Sequence, residues 1–591
     1  MNLKISVLAL LAGALTLSGV TVPEGGVLIS PSDLAGTLGN YSKPELAASR
    51  VVAVDGQPFA EAFQFDVKAV TGEPWSVQAL WQITQPVKKG DVLWVRFFAR
   101  TIRNQSESGE GVIKFVFQKN GGEYTKSFYH DVSLPPVWKE FYYPFTVLED
   151  YGQGQASFGF FMGVQPQSVE VAALQLYSYG IALRCEQLPA IRNGYAGDAP
   201  DAPWRSAAAE RIEKLRKAPL ELRLSDGGGA PLPDVPVQIE LKRHAFGWGS
   251  AVSAKMLTQA GVDGDAYRAV VENTFSRVVF ENDLKWPNWM NEGARQRMFQ
   301  STSWLQERKI EIRGHCLVWP SWRWLPGMLK ELKDDKEALR QAIDRHIIET
   351  TAAMRGKVVH WDVINEPYTN HDLMDILGHD EMIRWFKLAH EQDPQAKLFL
   401  NDYSILSGAG RDVKHQDHFE GTLRFLKKGG APIHGIGMQS HFGTTLTPPE
   451  KVFSILDRYA ELGLIINVTE HDIDMVDEAL QAAYTRDFMT IAFSHPAVEG
   501  FLSWGFWEGA HWKPLGAYYR RNWELKPAGQ LWHDLLTREW STSLKTVSDK
   551  NGRVNLRGFK GLYDITVQFK GESRKFPVTL GDEGATLNMT L

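Results

Sequence analysis

Only two of the 591 residues are cysteine, Cys185 and Cys316. They fall in segments of different character, so a disulfide framework is not expected, and neither sits in a metal-ligand spacing. There is no basic surplus either. Against 70 Asp and Glu stand 64 Lys and Arg, a net charge of −6, and a chain so balanced has little with which to neutralise phosphates. That argues against a nucleic-acid partner. The apolar run Ile5 to Leu17 is too short to span a bilayer, so no membrane span is expected. Following Met1-Asn2-Leu3-Lys4, it fits the apolar core of a secretory signal peptide over residues 1–22. This implies a secreted or periplasmic protein. The exit, Leu17-Ser18-Gly19-Val20, is a poor cleavage site, and Val20 stands where a lipidated cysteine would have to be. No internal repeat or low-complexity tract interrupts the chain.

What is present points to several domains, since a chain this long exceeds one hydrophobic core. Tryptophan is abundant, with 20 residues. Its flat apolar face suits both a large core and the C–H face of a sugar ring, and the sequence leaves both readings open. Residues 25–182 read as a β-sandwich: short β-branched and aromatic runs (Val77–Ile83, Val92–Phe98, Gly111–Gln118, Phe141–Thr146, Ser157–Gly163, Val169–Tyr177) alternate with Gly, Pro and Asp. Residues 183–206, rich in Pro, Ala, Gly and Asp, read as a linker. A short helix, Ala207–Lys217, and two strands around Leu220–Leu224 and Val235–Leu241 make an accessory segment over 207–244.

From 245 to 540 apolar strands alternate with amphipathic helices eight times. The strands are expected at Phe246–Ser250, Arg277–Glu281, Ile310–Trp319, Val358–Glu366, Lys397–Asp402, Gly435–His441, Leu464–Glu470 and Gly500–Trp507. Eight such units argue for a (β/α)8 TIM barrel. The tail, 541–591, returns to β. Alone it makes a thin core, so it is expected to complete a small sandwich with 220–241.

The chemistry gathers where strands end. His360-Trp361-Asp362-Val363-Ile364-Asn365-Glu366-Pro367 is a buried strand ending in an amide and a carboxylate, stopped by proline. Leu464-Ile465-Ile466-Asn467-Val468-Thr469-Glu470 ends the same way. Catalytic groups of a parallel barrel sit at such ends. Two carboxyls there are what glycosidic cleavage needs, one as acid above the ring and one as carboxylate below it.

Seven segments then resemble glycoside hydrolase family 10, in the family's order: Glu281-Asn282-Asp283-Leu284-Lys285-Trp286, Arg313-Gly314-His315-Cys316-Leu317-Val318-Trp319, Trp361-Asp362-Val363-Ile364-Asn365-Glu366, Gly437-Met438-Gln439-Ser440-His441, Val468-Thr469-Glu470-His471-Asp472, Ser503-Trp504-Gly505 and Lys526-Pro527-Ala528. The resemblance implies a retaining endo-β-1,4-xylanase with Glu366 as acid/base and Glu470 as nucleophile. It places Asn365 by a sugar 2-hydroxyl and Glu281, Asn282, Lys285 and His315 on the glycone side. Gln439 stands near the nucleophile, and His441 and Asp472 hold Glu470. Trp319, Trp504 and Trp512 would wall the cleft, with Tyr403 as an aglycone-side platform.

Pro320, Glu508 and His511 depart from the family's commonest bacterial pattern at positions that bear on subsite shape. Residues 25–182 resemble carbohydrate-binding modules, with Trp75, Trp81, Trp138 and Tyr143 able either to stack on sugars or to fill the core. The expected protein is a monomer acting on xylan, with no organic cofactor and no metal. Another β-1,4-glycanase and a non-catalytic glycan-binding protein are the alternatives.

Overall fold

The computed structural model describes residues 20–40, 43–104, 110–191 and 194–591. The apolar run assigned to a signal peptide lies outside these residues. Two compact units divide the chain near Arg192.

The first unit is a β-sandwich. One sheet orders Ala47–Ala53, Glu61–Val67, Gln167–Ser178, Val92–Arg103 and Lys139–Thr146, with Val27–Leu28 beside Gln167–Ser178. The other orders Gly39–Asn40, Gln78–Gln82, Ala156–Phe161, Gly111–Lys119 and Lys126–Leu134. Alternate residues enter a core rich in phenylalanine, including Phe97, Phe115, Phe117 and Phe160. Trp81 belongs to that core, fully buried, with its indole N–H on the Leu34 carbonyl at 2.8 Å. It is therefore not a surface platform. Trp138 is also buried, under the Arg100 guanidinium. Trp75 is open, at 51% exposure.

The second unit holds the barrel. Its strands are β1 (Gly247–Val252), β2 (Arg277–Phe280), β3 (Glu311–Val318), β4 (His360–Asn365), β5 (Lys397–Asp402), β6 (Gly435–Met438), β7 (Ile465–Ile473) and β8 (Val498–Ser503). All neighbours are parallel, and β1 pairs with β8, so the sheet closes. The fold class expected from the alternation is the one observed. Gly314 shows how tightly the strands meet: a Cβ there would lie 2.3 Å from the Trp361 ring. Only glycine lets β3 pass that indole, and Gly314 stands between Arg313 and His315.

Ahead of the barrel, the helix begins at Pro203 rather than Ala207 and runs to Arg216. Residues just before it are anchored, not loose. The Tyr195 hydroxyl donates to Asp487 at 2.6 Å, and Arg205 grips both oxygens of Asp487 at 2.6 and 2.7 Å. Two further sheets frame the barrel. Lys217–Ser225 lies between Arg553–Phe559 and Ala585–Thr590. Pro236–His244 lies between Ser543–Val547 and Gly561–Phe569, which pairs on with Glu572–Leu580. Their shared core includes Leu220, Leu222, Ile239, Ile565 and Met589. Among the described residues no helix is long and apolar enough to cross a membrane.

Candidate active site

Strand β4 ends at Asn365, and Glu366 takes a φ of 55°. A left-handed conformation costs a non-glycine residue about 1–3 kcal/mol and persists only where neighbours impose it. Here the Glu366 N–H is held by the Asn401 carbonyl of β5 at 2.9 Å, and the Glu366 carbonyl accepts from Asn370 at 3.1 Å. The bend turns the carboxyl across the barrel mouth. Three amides donate to it: Gln439 Nε2 at 2.8 Å and Asn365 Nδ2 at 3.2 Å to Oε1, and Asn370 Nδ2 at 3.2 Å to Oε2.

Glu470, on β7, has a different neighbourhood. Its Oε1 accepts from Asn401 Nδ2 at 2.8 Å, and its Oε2 meets His441 Nε2 at 3.2 Å. The other His441 nitrogen meets Asp472 Oδ1 at 3.0 Å, and Trp512 donates to Asp472 Oδ2 at 2.6 Å. Burial opposes a charge on His441, but Asp472 and Glu470 overcome it and lift its pKa to about 9. The imidazolium thus sits between two anions. Burial alone would raise the Glu470 carboxyl; the His441 hydrogen bond and nearby cations, Lys285 among them, hold it below its ordinary value. Asp472 is depressed further, again against burial, chiefly by His441. Glu281, by contrast, is raised by burial.

His315 is fixed from below. Its Nδ1 meets Asp362 Oδ2 at 2.9 Å, and Asp362 is paired with the fully buried Arg313. With a carboxylate on Nδ1, a proton belongs there and the ring is held in one orientation.

These side chains face one cavity of 180 Å3. Glu281, Asn282, Lys285, His315, Trp319, Asn365, Glu366, His441, Glu470, Trp504 and Trp512 line it, with Trp324. Gln439 and Asp472 stand behind the wall and act through Glu366 and His441. Tyr403 is not on the wall. It is 9% exposed, its hydroxyl donates to Thr369 at 3.1 Å and its ring meets His415 edge-on. Glu508 is turned away as well, accepting from Arg521 N at 3.0 Å, and His511 is buried and accepts from Lys513 N at 3.0 Å. Both side chains brace their loop.

The sequence reading passed over Trp324, Asn370 and Asn401. Asn401 links the two carboxyl sites, donating to Asn365 Oδ1 at 2.9 Å as well as to Glu470. Its signal was available, because it stands at the end of β5 as Asn365 stands at the end of β4. Trp324 and Asn370 lie in loops, where no periodicity marks them.

Residues 239–532 match the family model described as Glycosyl hydrolase family 10. This segment is a glycosyl hydrolase family 10 domain. The chain is 32% identical over 394 residues to anti-sigma-I factor RsgI6 of Acetivibrio thermocellus, covering 66% of this chain and 50% of that protein. It is 29% identical over 361 residues to endo-1,4-beta-xylanase 1 of Arabidopsis thaliana, covering 60% of this chain and 37% of that protein. The chain thus spans half or less of the length of these relatives. The crystal structure of native xylanase 10B from Thermotoga maritima superposes with a TM-score of 0.45 at 26% identity, covering 50% of this chain and 96% of that one.

Proposed function

We propose that this protein is a secreted, retaining endo-β-1,4-xylanase that cuts internal linkages of xylan, with Glu470 as nucleophile and Glu366 as acid/base. The observation that carries the reading is the unlike company of two buried carboxyls facing one cavity. Glu470 has a cation on one oxygen and a depressed pKa, which suits an anion that attacks the anomeric carbon. Glu366 is held by neutral amides where Glu470 is held by a cation, so of the two it takes up a proton more readily, as a group that protonates the leaving oxygen and later takes a proton from water must. Cleavage then runs in two displacements. Glu470 attacks from below while Glu366 protonates the departing sugar, and a water activated by Glu366 releases the glycosyl group.

In this reading Asn365 meets the 2-hydroxyl of the sugar being cut. Glu281, Asn282, Lys285 and His315 bind hydroxyls on the glycone side, and Trp319, Trp504 and Trp512 wall the cleft. A site built to bond hydroxyls discriminates strongly, because an analogue lacking one leaves buried groups unpaired. The enzyme acts as a monomer outside the cytoplasm. The sandwich over 25–182 binds β-glycan on its five-stranded sheet. Trp75 and Tyr129, 51% and 42% exposed, support this, as does the satellite cluster Leu80, Val116 and Phe161 against which Tyr129 packs. Retardation of the isolated sandwich in xylan gels is expected; free migration in every polysaccharide gel would count against it.

The test of the main reading is reducing-sugar release from xylan, mixed-linkage glucan and mannan, side by side. Release chiefly from xylan is expected, and chief release from glucan would make the protein another β-1,4-glycanase. The alternative from another class is a glycan-binding protein without turnover. Binding of xylan with no release from any polymer would support it.

A further inference from the structure

Next to the catalytic cavity lies a second one of 130 Å3, bounded chiefly by Trp286, Pro287, Leu317, Trp319, Trp324 and Leu325. The two cavities share Asn282, Lys285, Trp319 and Trp324. The second is thus a side chamber of the cleft. Its wall is formed by Trp319 and Trp324, stacked at 4.2 Å and 14°.

The chambers differ in chemistry. Carboxylates, amides and imidazoles dominate the catalytic cavity. In the side chamber the polar groups stand at Asn282, Lys285 and Asn288, and the remaining walls are indole, aliphatic carbon, proline and the buried Cys316. All three are already engaged with one another. Lys285 Nζ donates to Asn282 Oδ1 at 3.0 Å and lies 5.0 Å from the Trp319 ring centre, and Asn288 Nδ2 donates to the Asn282 carbonyl at 2.9 Å. An ammonium has three donors, so Lys285 retains two for an acceptor at the chamber mouth.

The geometry points to a binding site for a short acyl ester, an O-acetyl group carried on a glycan chain lying in the cleft. This rests on the glycan cleft proposed above. An acetyl ester brings a methyl for the apolar walls and a carbonyl for Lys285. Its few heavy atoms fit the volume, which equals that of about four waters at ~30 Å3 each. A branching sugar would bury hydroxyls against walls that cannot pair them. The chamber makes an acetylated chain as good a substrate as a bare one, where a closed wall would reject it.

The test compares acetylated xylan with the same polymer after alkaline deacetylation, using the full protein and Pro287→Trp, which fills the chamber from its exposed rim. Leu325→Phe, filling from a buried wall, serves if the first variant melts early. For the wild type, kcat/KM on the two polymers should agree within about twofold. Filling the chamber should cost at least ~tenfold on acetylated xylan and leave the deacetylated polymer unchanged. Equal losses on both polymers, or a wild type blocked by acetylation, would overturn the site. Isothermal titration of Glu470→Gln with acetylated and deacetylated xylo-oligosaccharides separates this from the proposed activity. If the wild type cleaves neither polymer, the activity fails, but the site stands if Pro287→Trp weakens only the acetylated ligand. The site falls if both ligands bind Pro287→Trp alike.

Discussion

At the scale of single residues, the site depends on charges placed where burial opposes them. The His441 pKa is raised from 6.5 to about 9. Its contribution to stability is therefore full below 6.5 and fades as pH rises through 9. The melting temperature of the wild type should fall across pH 9. Asp472→Asn removes the strongest influence raising His441, so its melting curve should lose that step. In the same variant Glu470 loses part of its cationic support, and the acid limb of kcat/KM should move to higher pH. An acid limb that stays in place in Asp472→Asn would show that Glu470 is tuned by something else. Beneath the cleft, Arg313 and Asp362 form a fully buried pair. Arg313→Met leaves a buried carboxylate without its partner, at an expected cost of about 3–5 kcal/mol in chemical denaturation. A loss below ~1 kcal/mol, the worth of an exposed pair, would mean that His315 alone satisfies Asp362.

At the scale of elements, Lys217–Ser225 has a strand of the tail on each side, and Pro236–His244 likewise. Deleting residues 543–591 would strip both and expose Leu220, Leu222 and Ile239 to water. The barrel of that truncation should melt several degrees lower or aggregate; an unchanged melt would make the tail dispensable. The same scale explains what could be read from the sequence. The barrel strands were legible because each is a short apolar run between amphipathic helices, and Lys397–Asp402 matches to the residue. Five sandwich strands were not, and two of them, Val27–Leu28 and Gly39–Asn40, are too short to show any pattern. Ala47–Ala53 is exposed along most of its length, and Lys126–Leu134 is buried only at its end, so neither alternates. Glu61–Val67 does alternate, but acidic residues at both ends blur its edges. The site followed the same logic. Glu366 and Glu470 were found by their position at strand ends and Asn401 was open to the same argument, whereas Trp324 and Asn370 depend on loop conformation, which no period encodes. Tyr403 packs edge-on against His415 of the helix Val413–Lys428, a tertiary contact that no local pattern marks.

At the scale of the whole molecule, a barrel of one family carries a sandwich before it and a small double sheet around its ends. Only the barrel holds the two carboxyls. The account's central claim is that these act by double displacement, Glu470 attacking and Glu366 passing protons. Glu366→Ala should lose about 10²–10⁴-fold on xylan, whose sugar leaving group needs a proton, yet still form the glycosyl-enzyme from substrates with an acidic phenol leaving group. Glu470→Ala should be inactive on both and be rescued by azide, giving an inverted glycosyl azide. The most direct measurement is proton NMR of the first-formed product of xylo-oligosaccharide cleavage by the wild type, taken before mutarotation. Two inversions predict a β anomeric proton signal appearing first and the α signal growing in later. An α signal appearing first would contradict the account, since it requires a single displacement by water.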